Sequence, residues 1–327
     1  MRPRPHWIVL AGAVALAGCS SSSRLHGAAA EPAKAPLTSQ TPAGTVRSIG
    51  AAPEGIVYDR RTGLLAVAVR GPSRLLLLDG RTLAVRRSVA LPGTVRHLQL
   101  AAPGGPVLVP DESAGELIEV SLPDGSARAS KVGKQPHDAS AVAGGQIVVG
   151  NEFGKSLSFV KDGRVLATVP EVRQPGGVVG DGRRVAVIDV AAFTLSEFDV
   201  ATRTRTAQVP AGAGPTHGVL TAHDRIVVAD TRGGALLVFA LHPLKQVGRL
   251  TLPGRPYGMA IDTSTDTAWV TLTATNQVVD VDVSGARPKL IARYPTVRQP
   301  NTVAVAPGSH TVWITGTADG QLQTISR

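Results

Sequence analysis

The chain has 327 residues, 43% hydrophobic but only 3% aromatic, with a formal net charge of +10 and one cysteine. That cysteine count excludes a disulfide framework, and scarce aromatics without a basic helix argue against nucleic-acid binding. A chain of this length can bury enough apolar surface to be stable without cross-links.

From the N-terminus, MRPRPHW carries Arg2 and Arg4 and leads into an apolar run of 11 residues, IVLAGAVALAG. Such a run is shorter than the roughly 20 residues a spanning helix needs and suits the core of a secretory leader. Leu16-Ala17-Gly18-Cys19 resembles the lipobox of bacterial lipoproteins. The resemblance implies cleavage before Cys19, diacylglycerol on its thiol, and a chain anchored to a lipid bilayer in the extracytoplasmic cell envelope. Residues 1–18 are therefore expected to be a signal peptide. Residues 19–44 would be the lipidated cysteine and a flexible Ser/Ala/Pro tether. Loss of Arg2 and Arg4 takes the charge from +10 to +8. Anionic headgroups or acidic polymers would be attracted to such a domain, although a solvated rim of arginines explains the excess more simply.

Beyond residue 44 the chain repeats itself. Seven similar starts fall at residues 53, 95, 136, 175, 215, 256 and 300, spaced by 42, 41, 39, 40, 41 and 44. Pro215 to Arg255 shows the unit plainly: GVLTA, RIVVAD, ALLVFAL and QVGRLTL, with turns between them. A period near forty with four strands per unit predicts β-propeller blades. The second strands (LLAVAV, PVLVP, QIVVG, VAVIDV, RIVVAD, TAWVTL, TVWITG) are continuous apolar runs, as burial on both faces requires. The fourth strands mix apolar residues with Arg or Lys, which suits an exposed edge. The last unit stops without a fourth strand, and Gly44–Gly50, GTVRSIG, can supply it. The expected fold is an all-β, seven-bladed propeller of four-stranded antiparallel blades over 45–327, its ring closed by the N-terminal strand. A closed ring leaves no free sheet edge, so a monomer is expected.

The segments VVGNEFGKSLSFVKDGRVLATV and AWVTLTATNQVVDVDVSGARPKLIARY resemble the YVTN-type repeats of bacterial surface and periplasmic propellers. Only blade six carries both the P-x-G start and the V-x-V-x-D third strand of that pattern. Such propellers are similar in turn to seven-bladed lactonases and, more distantly, to other propeller hydrolases and lyases. The resemblance implies a ligand site at the channel end where the entry loops meet the loops joining second to third strands. Fold alone transfers no activity.

At that mouth the entry loops supply Glu54, Arg96, His97, His137, Asp138, His217, Tyr257 and Asn301, and the second-to-third loops supply Arg70, Asp111, Glu112, Asn151, Glu152, Asp189, Asp230 and Arg232. His97, His137 and His217 occupy nearly the same repeat position in blades two, three and five. On a seven-fold ring those blades are about 50°, 100° and 155° apart, so the side chains can converge. Three imidazoles with Asp138 or Glu54 would suit Zn²⁺ or another divalent ion. Alternatively one imidazole would act as a general base on a lactone or ester, with His137, Asp138 and His217 as the catalytic candidates. Polar lining of a channel mouth explains the same residues without chemistry.

Other motifs fail. Gly150–Ser156 is one residue short of a phosphate loop and joins two strands, Gly212–Gly218 lacks a dinucleotide fingerprint, and neither G-x-S-x-G nor H-E-x-x-H occurs. No motif calls for a cofactor, so a divalent metal is the one addition the histidines admit. The reading carried forward is a membrane-anchored binding or scaffold module for an envelope protein or small ligand. The alternative is a lactonase-like hydrolase or lyase.

Overall fold

A computed structural model of the chain describes Met1 and residues 27–326 except 171 and 310. The leader, Cys19 and the first part of the tether lie outside the described residues. The chain forms seven four-stranded antiparallel sheets, six of them running in simple sequence order. In the seventh, Thr45–Ser48 pairs with Gln321–Ile325, outside Thr311–Gly316 and Pro300–Ala306. The ring is thus closed by the N-terminal strand, in the register Thr45↔Thr324 to Ser48↔Gln321.

Blade five, the reference unit, has strands Pro215–Leu220, Arg225–Asp230, Ala235–Ala240 and Lys245–Thr251. Its second strand shows why the runs are apolar throughout. Ile226 and Val228 pack with Ala186, Ile188 and Leu195 of blade four, whereas Val227 and Ala229 pack with Ala268 and Val270 of blade six. Successive side chains point to opposite faces of a strand, so a strand between two blades must be apolar at every position. The outermost strands differ as expected; Val85–Ala90, VRRSVA, is exposed at nearly every residue. Trp269 and Trp313 are core residues, and Asp162-Gly163 turns its hairpin with both residues at positive φ.

Ring closure has a side-chain staple. Gln323 is fully buried; its Oε1 accepts from Val297 N at 3.0 Å, and its Nε2 donates to Ala43 O at 2.7 Å and Pro295 O at 3.0 Å. It ties the closing strand to the neighbouring blade. Gln323→Ala strands the buried Val297 amide and the Ala43 carbonyl, while the Pro295 carbonyl keeps the Ala43 amide, and is expected to lower unfolding free energy by about 2–3 kcal/mol in urea titrations. A change under about 0.5 kcal/mol would show that closure rests on the strand ladder alone.

Five of the first strands begin with a register shift, seen at Pro136/Asp138, Pro175/Gly177, Pro215/Gly218, Pro256/Met259 and Pro300/Thr302. A bulge re-aims side chains. Here it brings residues from two adjacent sequence positions to one end of the channel.

Candidate functional site at the channel mouth

His97 precedes the short strand Gln99–Leu100 of blade two, His137 sits in Pro136–Val142 of blade three, and His217 in Pro215–Leu220 of blade five. The three rings meet: His97 lies 4.5 Å from His137 and 4.4 Å from His217 between centroids. One ring nitrogen from each lies within 4.8 Å of the other two. His97 and His217 are the second residue after the start, whereas His137 is the first, and the first-strand bulges of blades three and five accompany that one-residue difference.

Hydrogen bonds set the tautomers of two of the rings. His137 Nδ1 lies 2.7 Å from Glu112 Oε1 and 3.4 Å from Glu152 Oε2, so it carries the proton and donates. His217 Nδ1 is 3.1 Å from the carbonyl of Tyr257, which can only accept. Both rings are left with Nε2 for the centre. His217 Nε2 lies 2.9 Å from His97 Nε2, where it accepts the proton His97 carries.

Burial acts differently on the three imidazoles. It pushes His97 well below the usual histidine range, helped by the neighbouring His217 and His137, and pushes His217 down to about 3. His137 is equally buried, but the Glu112 hydrogen bond and the Glu152 carboxylate outweigh that burial and raise it. Tyr257 packs edge-on against His217, with centroids 4.4 Å apart at 88°, and burial raises its phenol. Arg96 Nε stands 3.9 Å from Glu112 Oε1, and Gln174 Nε2 donates to Glu152 Oε1 at 2.9 Å.

The remaining sequence candidates are not brought to this cluster. Asp138 Oδ1 accepts from Gln99 Nε2 and Ala139 N, both at 2.9 Å, and Oδ2 accepts from Val178 N at 2.8 Å. It clamps blade three to blades two and four, and burial raises its carboxyl to about 6. Asp111, Asp189 and Asp230 turn their carboxylates to the preceding entry loops, accepting from Gly93, from Arg173 and Gln174, and from Ala213 and Gly214 respectively. Asn151 donates to Ser156 and Ser158. Glu54 accepts from Arg70 at 2.6 Å and Asn301 at 2.9 Å, and so joins blades one and seven beside the histidines.

Sequence reading missed a segment altogether. Residues 28–36, placed by composition in the flexible tether, cross the mouth as a strap. Arg232 Nη2 donates to Ala28 O at 2.6 Å, Ala33 N to Thr273 Oγ1 at 3.0 Å, and Asn276 Nδ2 to Pro36 O at 2.9 Å. Gln299 grips both directions, accepting from Ala35 N at 2.9 Å and donating to Ala33 O at 2.8 Å. Glu31 reaches Arg96 at 3.1 Å, and Ala29 and Ala30 cover the hollow above His137, His217 and Tyr257.

No protein-family model and no curated protein sequence matches the chain. Solved structures share its fold. Hydrazine synthase of Kuenenia stuttgartiensis aligns with a TM-score of 0.72 at 16% identity, over 84% of this chain and 96% of that one. Virginiamycin B lyase from Staphylococcus aureus gives 0.72 at 13% identity, over 86% and 99%. The Myceliophteria thermophila Cps50 (Swd1) β-propeller domain gives 0.71 at 14%, over 86% and 100%. A lyase and a Swd1 domain are thus equally good matches, and at such identities the likeness is one of fold alone.

Proposed function

We propose that this protein is an extracytoplasmic, lipid-anchored binding module whose propeller holds a divalent transition-metal ion on His97, His137 and His217. A small ligand or the tip of an envelope protein would bind against that ion. The observation that carries this reading is the outer partner of two of the rings. Glu112 and the Tyr257 carbonyl engage Nδ1 of His137 and His217, leaving Nε2 of each for a common centre. Metal-binding histidines are oriented by this kind of partner, which fixes the tautomer and raises ligand basicity. Three nitrogens about 2.0–2.1 Å from one ion, plus an open fourth position, make a site of zinc type.

Equilibrium dialysis of the full chain against Zn²⁺ is expected to give one ion per chain, and Co²⁺ to give the visible absorption of a four-coordinate site. Folded protein that takes up no more ion than its His97→Ala/His217→Ala variant would refute the reading. A catalytic use of the same site is favoured by one feature, the Glu112–His137 pair beside Glu152, whose carboxylates would be able to move a proton if an ion on the histidines held a water. Lactone or ester opening lost in Glu112→Gln with zinc retained would select the hydrolase or lyase reading over binding alone. The anchor at Cys19 stands or falls separately, on a lipid-sized mass on that residue in membrane fractions.

A further inference from the structure

The histidine cluster faces two spaces of very different size. Above it, under the strap, the hollow lined by Ala29, Ala30, His137, His217 and Tyr257 has only about 10 Å³, room for about one water. Below it, the channel widens into a cavity of about 290 Å³ that His97 and His217 also line. The first strands of blades five and six show how the cavity opens on their side of the channel, while those of blades three and seven stay buried almost throughout. Pro215–His217 and Pro256–Gly258 are buried at the mouth end, whereas Gly218–Leu220 and Met259–Ile261 further down the channel are half-exposed. The mouth side is narrow and the opposite side is roomy.

The wall below the histidines presents the apolar side chains of Leu98, Val179, Val219, Leu220, Met259 and Val303 beside a nearly equal share of polar surface. Two of its polar residues are already engaged. Gln99 Nε2 donates to Asp138 and to Val178 O, and Ser140 Oγ accepts from Gly180 N. The histidines thus stand at one end of a channel whose apolar side chains can hold the body of a ligand. We infer that ligands reach the cluster along the channel from the end opposite the strap. We infer further that the cavity takes a slim small molecule with an apolar body and a carbonyl or carboxylate head that meets the histidines. The volume lies at the lower limit of small-molecule pockets, roughly 300–1,000 Å³. The nature of the head group rests on the metal-site reading; the route does not.

The test uses hexanoate and hexanamide as probes, titrated calorimetrically into the zinc-treated full chain. Leu220→Trp and, as a second channel-filling variant, Met259→Trp are compared with Glu31→Lys, which unlatches the strap from Arg96. Circular dichroism checks that each variant is folded. Binding of hexanamide weakened at least tenfold by either tryptophan and unchanged in Glu31→Lys is the expected result. The reverse pattern, tighter binding in Glu31→Lys with no effect of the tryptophans, would overturn it. Zinc uptake with neither probe bound would overturn the inference while leaving the metal reading intact. Channel-dependent hexanamide binding without zinc uptake would do the opposite.

Discussion

Replacing His97 by alanine is expected to cost the chain about 100-fold or more in zinc affinity, because its ring stands between the other two and the change removes the nitrogen that links them. The pH dependence makes the expectation sharper. Ordinary imidazoles near 6.5 would each bind a proton on mild acidification, so a three-histidine site would lose up to about a thousandfold in affinity per pH unit. Burial holds His97 well below that range and His217 at about 3, so neither competes for protons at pH 5–7. His137 is raised, and in the metal-free protein it is the ring that must lose a net proton when the ion arrives, whereas the proton on His97 Nε2 need only move to Nδ1. Zinc affinity should therefore fall only about tenfold per pH unit below the His137 pKa, with one proton released per ion. Calorimetry in two buffers of different ionisation enthalpy reads that number directly. A release of two or three protons would mean that the cluster is open to water and the buried arrangement wrong. The same shifts bear on stability without metal. Below about pH 6.5 the unfolded chain gains protons on His97 and His217 that the folded chain refuses, so stability is lost as pH falls. His137 acts in the opposite sense: its contribution is full at low pH and lost as pH rises through its raised pKa.

The architecture was legible because it rests on a signal repeated seven times: apolar runs that only a strand between two blades can bury, and a missing last strand with its complement near residue 45. The histidines were legible as residue types near one repeat position. Their convergence depends on bulges in the first strands, which leave no composition signature, so the one-residue difference between His137 and the other two could not be resolved from the repeat alone. Asp111, Asp189 and Asp230 look in sequence like mouth ligands because they end second strands at the right height. Only the fold shows that the preceding entry loop turns back and spends each carboxylate on its amides. The strap was illegible for a different reason. Alanine and proline between Gly27 and Pro36 carry no periodicity, and its grip comes from Arg232, Thr273, Asn276 and Gln299, more than 200 residues away in sequence.

Asp230→Ala is expected to be among the most damaging single changes in the domain, lowering unfolding free energy by about 3–5 kcal/mol. The side chain is 1% exposed. Its carboxylate accepts from Ala213 N at 3.1 Å, Gly214 N at 2.9 Å and Gly233 N at 3.0 Å, and so holds the entry loop of blade five to the turn after its own second strand. A Cβ at Gly212 or Gly233 would collide with that carboxylate, so both glycines are shaped around it. Alanine would leave three amides facing a void, with water admitted only if the loop opens, and the entry loop is what delivers His217 to the cluster. Zinc affinity should fall with stability. Asp230→Asn separates support from ligand binding. Its single carbonyl oxygen can take the place of Oδ1, which faces all three amides, so most of the stability and all of the zinc affinity should return. If the asparagine variant were as stable as the native chain yet bound no zinc, Asp230 would be a ligand of the ion rather than the clasp that positions one.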